Sequence, residues 1–187
     1  MFYISKGIIF KESGIDSINV SRCGSEYNLC GKQAELWLAG RFGVAYNETA
    51  GEQPKLKELE SMGLIELAEP DETAADYQLL TNCVICLAKP VFPRFPLNRK
   101  EKLIWAWIKN AGYKLTISEL VYLTEQKIIP GPEFYGEDNW HTLIHAIYTP
   151  ETIFDNILQV KMKKSSALDS TVSALLGLLK KKRIILV

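Results

Sequence analysis

Histidine is nearly absent from this chain: two in 187 residues, His141 and His145. So few imidazoles leave little for histidine-dependent nucleophilic chemistry to draw on. Gly7, Gly14, Gly24, Gly31, Gly40 and Gly43 are scattered, and no GxGxxG or GxxxxGKS/T run cradles a phosphate. A GxSxG elbow is also missing. No apolar stretch approaches the roughly 20 residues that span a bilayer. The opening Met1-Phe2-Tyr3-Ile4-Ser5-Lys6 lacks the basic start, apolar run and small-residue cleavage site of a secretory leader. These absences lead us to expect a cytoplasmic protein that is not an enzyme, with no catalytic residues, no cofactor and no membrane partner.

Cysteine is sparse as well: Cys23, Cys30, Cys83 and Cys86. Four thiolates can complete a tetrahedral zinc site, and Cys83 and Cys86 have CxxC spacing. The segment around them, Tyr77 to Ala88, reads as a buried strand, on which residues three apart point to opposite faces. Reduced cysteines and no metal are therefore expected. His141 and His145 stand four apart on a predicted helix with Glu137 one turn earlier, a stripe that could ligate a metal. Residue 142 is Thr, so this is not HExxH, and a half-buried boundary position is the expectation for both histidines.

What is present is an ordinary globular composition, 47% apolar and 24% charged. Formal net charge is zero, but it is unevenly spread. Residues 1–90 hold 8 Lys+Arg against 13 Asp+Glu, and residues 91–187 hold 14 against 9. A basic half invites an interaction role.

Tyr3 to Phe10 and Ile15 to Arg22 carry β-formers around the turn Lys11-Glu12-Ser13-Gly14, which predicts a hairpin. A helix is predicted over about 31–42. Pro54 opens the next one, with Leu56, Leu59 and Met62 on one face and Gly63 as its stop. Leu64-Ile65-Glu66-Leu67 then reads as a strand, a polar tip follows over 68–76, and 77–88 reads as the second strand. The segment Leu56-Lys-Glu-Leu-Glu-Ser-Met-Gly-Leu-Ile-Glu-Leu67 resembles the recognition helix and wing of winged helix-turn-helix proteins. The start of the chain, the hairpin with Leu29, Trp37 and Gly40, is distantly similar to the small peptide-binding PqqD-like domains.

Pro90, Pro93 and Pro96 break regular structure, and a domain boundary is placed there. Beyond it, Asn98/Glu101 and Thr116/Glu119 have capping-box spacing. Helices are predicted over about 98–112, 116–126, 137–148, from Pro150 through Leu158, and from Asp169 towards Lys180. Leu56, Leu59, Ile65 and Leu67 match Leu175, Leu178, Ile184 and Leu186 at a constant offset of 119 residues, a weak internal repeat. Ile184–Val187 has no following strand, so it needs a partner from elsewhere in the chain or from another subunit.

The expected fold is α+β and helix-rich, with short antiparallel strands: two small winged-helix-like domains in tandem, 1–92 with a leading hairpin and 93–187 ending in a strand. The resemblance implies a DNA-binding transcriptional regulator. Its phosphate contacts are assigned to Arg99, Lys100 and Lys102, to Lys161, Lys163 and Lys164, and to Lys180, Lys181, Lys182 and Arg183. A bland reading competes at the last cluster, since cations offset the negative end of a helix dipole. The alternative function is a protein- or peptide-binding adaptor without nucleic acid. Self-association or a protein partner is expected beside DNA. The presumptive wing, with Glu66, Glu69, Asp71, Glu72 and Asp76, would repel phosphate.

Overall fold

The computed structural model describes residues 1–12, 17–69, 75–89, 95–110, 114–136, 139–149 and 155–187. They form a mixed α+β protein of helices and short antiparallel sheets. The chain divides into two compact units, Met1–Cys83 with Ile185–Val187, and Val84–Ile184. The expected division lay at 92/93; residues 90–94 of the proline-rich stretch lie outside the described residues.

In the first unit, β1 (Phe2–Ser5) is the centre of a three-stranded sheet, flanked by β5 (Ala45–Tyr46) and β6 (Ile65–Ala68). The expected hairpin of 3–10 with 15–22 is therefore only partly formed. The chain breaks at Gly7, whose φ of +114 suits glycine and whose missing Cβ leaves room for the Val20 side chain. Past that break, β2 (Ile8–Glu12), β3 (Ser17–Arg22) and β4 (Ser25–Cys30) make a second antiparallel sheet. Cys23 and Gly24, both at positive φ, join β3 to β4 as a two-residue hairpin turn. β4 escaped the sequence reading because only Tyr27 and Leu29 supply its apolar alternation.

Helices α1 (Lys32–Ala39) and α2 (Gln53–Ser61) bury Leu36, Trp37, Leu56 and Leu59 against Tyr3, Ile18, Val20, Leu29, Leu64 and Ile65. Trp37 is wholly enclosed; its indole N–H donates to the Lys6 carbonyl at 3.1 Å, while Ser5 Oγ donates to the Trp37 carbonyl at 2.7 Å. Gly63, at φ +71, closes α2: its N–H donates to Glu60 C=O at 2.7 Å and the Leu64 N–H to Leu59 C=O at 2.9 Å. This is a Schellman ending.

The expected wing hairpin is not formed. Residues 75–81 are a helix, α3 (Ala75–Thr81), which packs on β1 and β6 through buried Tyr77, Leu79 and Leu80. The apolar run Tyr77-Gln-Leu-Leu fits a helix as well as a strand, and β6 takes its pairing from β1 instead. Cys83 consequently lies just beyond a helix, with its thiol donating to Leu79 C=O at 3.2 Å. Cys86 lies in the strand β7 (Ile85–Leu87).

The second unit carries α4 (Arg99–Asn110), α5 (Ile117–Glu125), α6 (Trp140–Ile147), α7 (Asp155–Met162) and α8 (Leu168–Lys180). The chain closes on the strand β8 (Ile184–Leu186), of which Ile184 counts with the second unit and Ile185 and Leu186 with the first. α5 is buried from Ile117 through Leu123, Ser118 and Glu119 included, and receives α6, α7 and α8 around it. Its Thr116/Glu119 capping box is present, and Tyr148 Oη donates to Glu119 Oε1 at 3.0 Å. Among the described residues no helix is long and apolar enough to cross a membrane.

Candidate nucleic-acid interface

The charge asymmetry sharpens when counted by unit. The first unit holds 7 Lys+Arg against 13 Asp+Glu, a net of −6; the second holds 15 against 9, a net of +6. A field of that sign on one unit favours polyanions there.

Helices α4 and α8 pack together so that the start of α4 meets the end of α8. The local chemistry explains how. Asn98 and Glu101 cap α4 reciprocally: Glu101 N–H donates to Asn98 Oδ1 at 2.8 Å and Asn98 N–H to Glu101 Oε2 at 2.7 Å. The Glu101 carboxylate is 3% exposed and lies against Gly177 of α8, where any Cβ would overlap Oε1. Lys181 Nζ then reaches both Glu101 oxygens, at 2.7 and 2.6 Å. Burial by itself would raise the Glu101 carboxyl; the hydrogen bonds from Lys181 and from the Asn98 backbone, with the ammonium charge, hold it below its ordinary value.

The end of α8 closes as α2 does. Lys182, at φ +55, donates its N–H to Leu179 C=O at 2.9 Å, and Arg183 N–H donates to Leu178 C=O at 2.9 Å. This turn spreads the four cations in different directions. Lys180 and Lys182 are exposed, Lys181 turns in to Glu101, and Arg183 lies across Trp105 with its guanidinium 5.8 Å from the ring centroid. Arg183 Nη2 also donates to the Phe95 carbonyl at 3.2 Å. Lys109, one turn along α4, places its ammonium 5.3 Å from the Trp105 centroid.

The structure therefore brings two of the three expected clusters together: Arg99, Lys100 and Lys102, all exposed, stand at the same end as Lys180–Arg183. Within the Lys180–Arg183 cluster, Lys181 pairs with Glu101, and the half-buried Arg183 is held by the Phe95 carbonyl and the Trp105 ring. The third cluster, exposed Lys161, Lys163 and Lys164, stands at the end of α7, which packs on α5. Sequence reasoning left out Lys109 and Phe95. The i, i+3, i+7 spacing of Lys102, Trp105 and Lys109 on one helix flank was the available signal.

The other candidates resolve differently. His141 and His145 are exposed rather than half-buried, because α6 turns Leu143 and Ile147 inward; His141 stacks on Trp140 with centroids 3.7 Å apart. Glu137 lies outside the described residues. Among the described residues no group of three or more His, Cys, Asp or Glu is close enough to hold a metal. Of the expected acidic wing, Glu66 instead pairs with the buried Lys6, Asp76 starts α3, and 71–72 lie outside the described residues. A groove of about 330 Å³ in the first unit is lined by Lys57, Glu60, Leu67, Glu69 and Gln78, among others.

No protein-family model, no curated protein and no solved structure matches this chain.

Proposed function

We propose that this protein binds nucleic acid through its second unit and acts as a DNA-binding regulator, with the first unit as a packing or partner-binding module. One observation carries the reading: the packing of α4 on α8 gathers Arg99, Lys100, Lys102, Lys180 and Lys182 at one end of the unit that holds all of the positive excess. The single carboxylate of α4, Glu101, is neutralised there by Lys181. Cations so grouped displace the counterions condensed along a phosphate backbone. The winged-helix reading of each domain draws support from the two helix–Schellman–strand units, α2 into β6 and α8 into β8. It draws none from 77–88, which make no wing.

The test is a salt series with random-sequence oligonucleotide, duplex and single strand. Affinity should fall steeply with salt, and Lys100→Ala with Lys102→Ala should flatten the slope by about one unit per lost contact. Lys163→Ala with Lys164→Ala measures whether the α7 cluster joins the surface. Absence of binding to either form at about 50 mM salt, where even non-specific contacts register, rejects the reading.

A protein-binding adaptor is the second reading. It is favoured by α7, where Ile157 and Val160, 43% and 65% exposed, are surface apolar side chains beside the exposed Lys161. An adaptor would leave nucleic acid unbound at any salt.

A further inference from the structure

We infer that the nucleic acid taken by the α4–α8 end is single-stranded, with Trp105 and Phe95 serving as stacking platforms for bases; this rests on the nucleic-acid reading above. Duplex binding through phosphates asks only for cations. A single strand also offers unpaired base faces, and proteins that hold it interleave aromatic rings with a basic track. That interleaving is what this end of the second unit displays.

Three of the four tryptophans are committed elsewhere. Trp37 and Trp107 are fully buried, and Trp140 stacks on His141. Trp105 is different: it falls off the buried face formed by Ile104, Trp107 and Ile108, and stays half-exposed on the flank of α4. On that flank it stands between Lys102, one turn before, and Lys109, one turn after. Phe95 is 56% exposed just ahead of the α4 cap. One guanidinium ties the two rings to the same spot, since Arg183 bonds the Phe95 carbonyl and lies over Trp105.

The cations around these rings have defined origins. Lys102 and Lys109 share the helix flank with Trp105, and Arg183 is delivered by the left-handed turn at Lys182. Lys180 and Lys182 are exposed on either side of Lys181 in the sequence. A base stacking beside Trp105 would place its flanking phosphates among these groups. At the start of α4 the reciprocal cap engages the Asn98 and Glu101 N–H groups.

The experiment compares a mixed-sequence strand of about 16 nucleotides with its duplex, both at about 50 mM salt. The expected result is tighter binding of the single strand, with quenching of tryptophan fluorescence that Trp105→Phe abolishes as the reporter is removed. Trp105→Ala and Phe95→Ala should each weaken single-strand binding by about 5- to 100-fold and leave duplex binding nearly unchanged, whereas Trp105→Phe should restore most of the affinity. Phe95→Ala is an exposed change and keeps the test independent of folding at Trp105. If duplex binds as tightly as single strand, or if both alanine variants bind single strand normally, the stacking inference fails while nucleic-acid binding stands. If neither form binds, both are overturned.

Discussion

Gly63 and Lys182 occupy the same position of the same motif, the left-handed residue that ends a helix and feeds a strand. They lie 119 residues apart, the offset of the apolar repeat, at φ +71 and +55. Their hydrogen bonds correspond partner for partner: Gly63 to Glu60 and Leu64 to Leu59, Lys182 to Leu179 and Arg183 to Leu178.

A side chain in this conformation is strained, and only one of the two sites carries one. Lys182→Gly should raise stability by roughly 0.5–1 kcal/mol, the relief of a left-handed L-residue less the added freedom of glycine when unfolded. Gly63→Ala should do the reverse, because it puts a side chain on left-handed backbone at φ +71. Urea unfolding of both variants checks the pair; equal effects of either sign would contradict the assignment.

Lys181→Ala should destabilise the second unit by about 2 kcal/mol, less than a fully buried pair because Lys181 is 26% exposed. The loss arises from a carboxylate left enclosed without its cation. Since Glu101 titrates below its ordinary value of 4.5, its contribution is complete above that pH and is lost as pH falls through its folded value. Glu101→Gln should therefore be less stable than the parent at neutral pH, with the gap narrowing as pH falls below 4.5. A gap constant across that range would show that the carboxylate is not the group responsible.

Gly177→Ala sets helix propensity against packing. An exposed interior glycine replaced by alanine gains about 1 kcal/mol. Here the new methyl group would push Glu101 off Lys181, so the variant should lose stability. In a Glu101→Ala background the same change should become stabilising, and thermal melts of the four proteins would reveal the change of sign.

Thiol labelling should sort the cysteines into classes. Cys23 and Cys30 are exposed and should react at once with an aromatic disulfide reagent. Burial raises the thiols of Cys86 and, further, of Cys83, the latter to about 12. Cys86 should lag, and Cys83 should label only when denaturant opens the first unit. Four equally fast thiols would overturn that ordering.

The sequence by itself determined everything that depends on a few neighbouring residues. Asn98/Glu101 and Thr116/Glu119 specify their own caps, and Pro54 with Gly63 brackets α2 because backbone sterics and hydrogen bonds there are local. The ends at Lys127 and Lys182 use the same left-handed geometry as Gly63 but carry no glycine to announce it. Tertiary structure decided what local energies leave nearly balanced. Tyr77 to Thr81 could be strand or helix, and packing on β1 and β6 makes it α3. Charge alone made Lys180–Arg183 one basic run. The gap at Gly177 admits Glu101, Glu101 draws in Lys181, and the turn at Lys182 sends Arg183 to Trp105. Which cations remain for a ligand is therefore set by partners some 80 residues away in the chain, a distance at which no local pattern in the sequence carries the information.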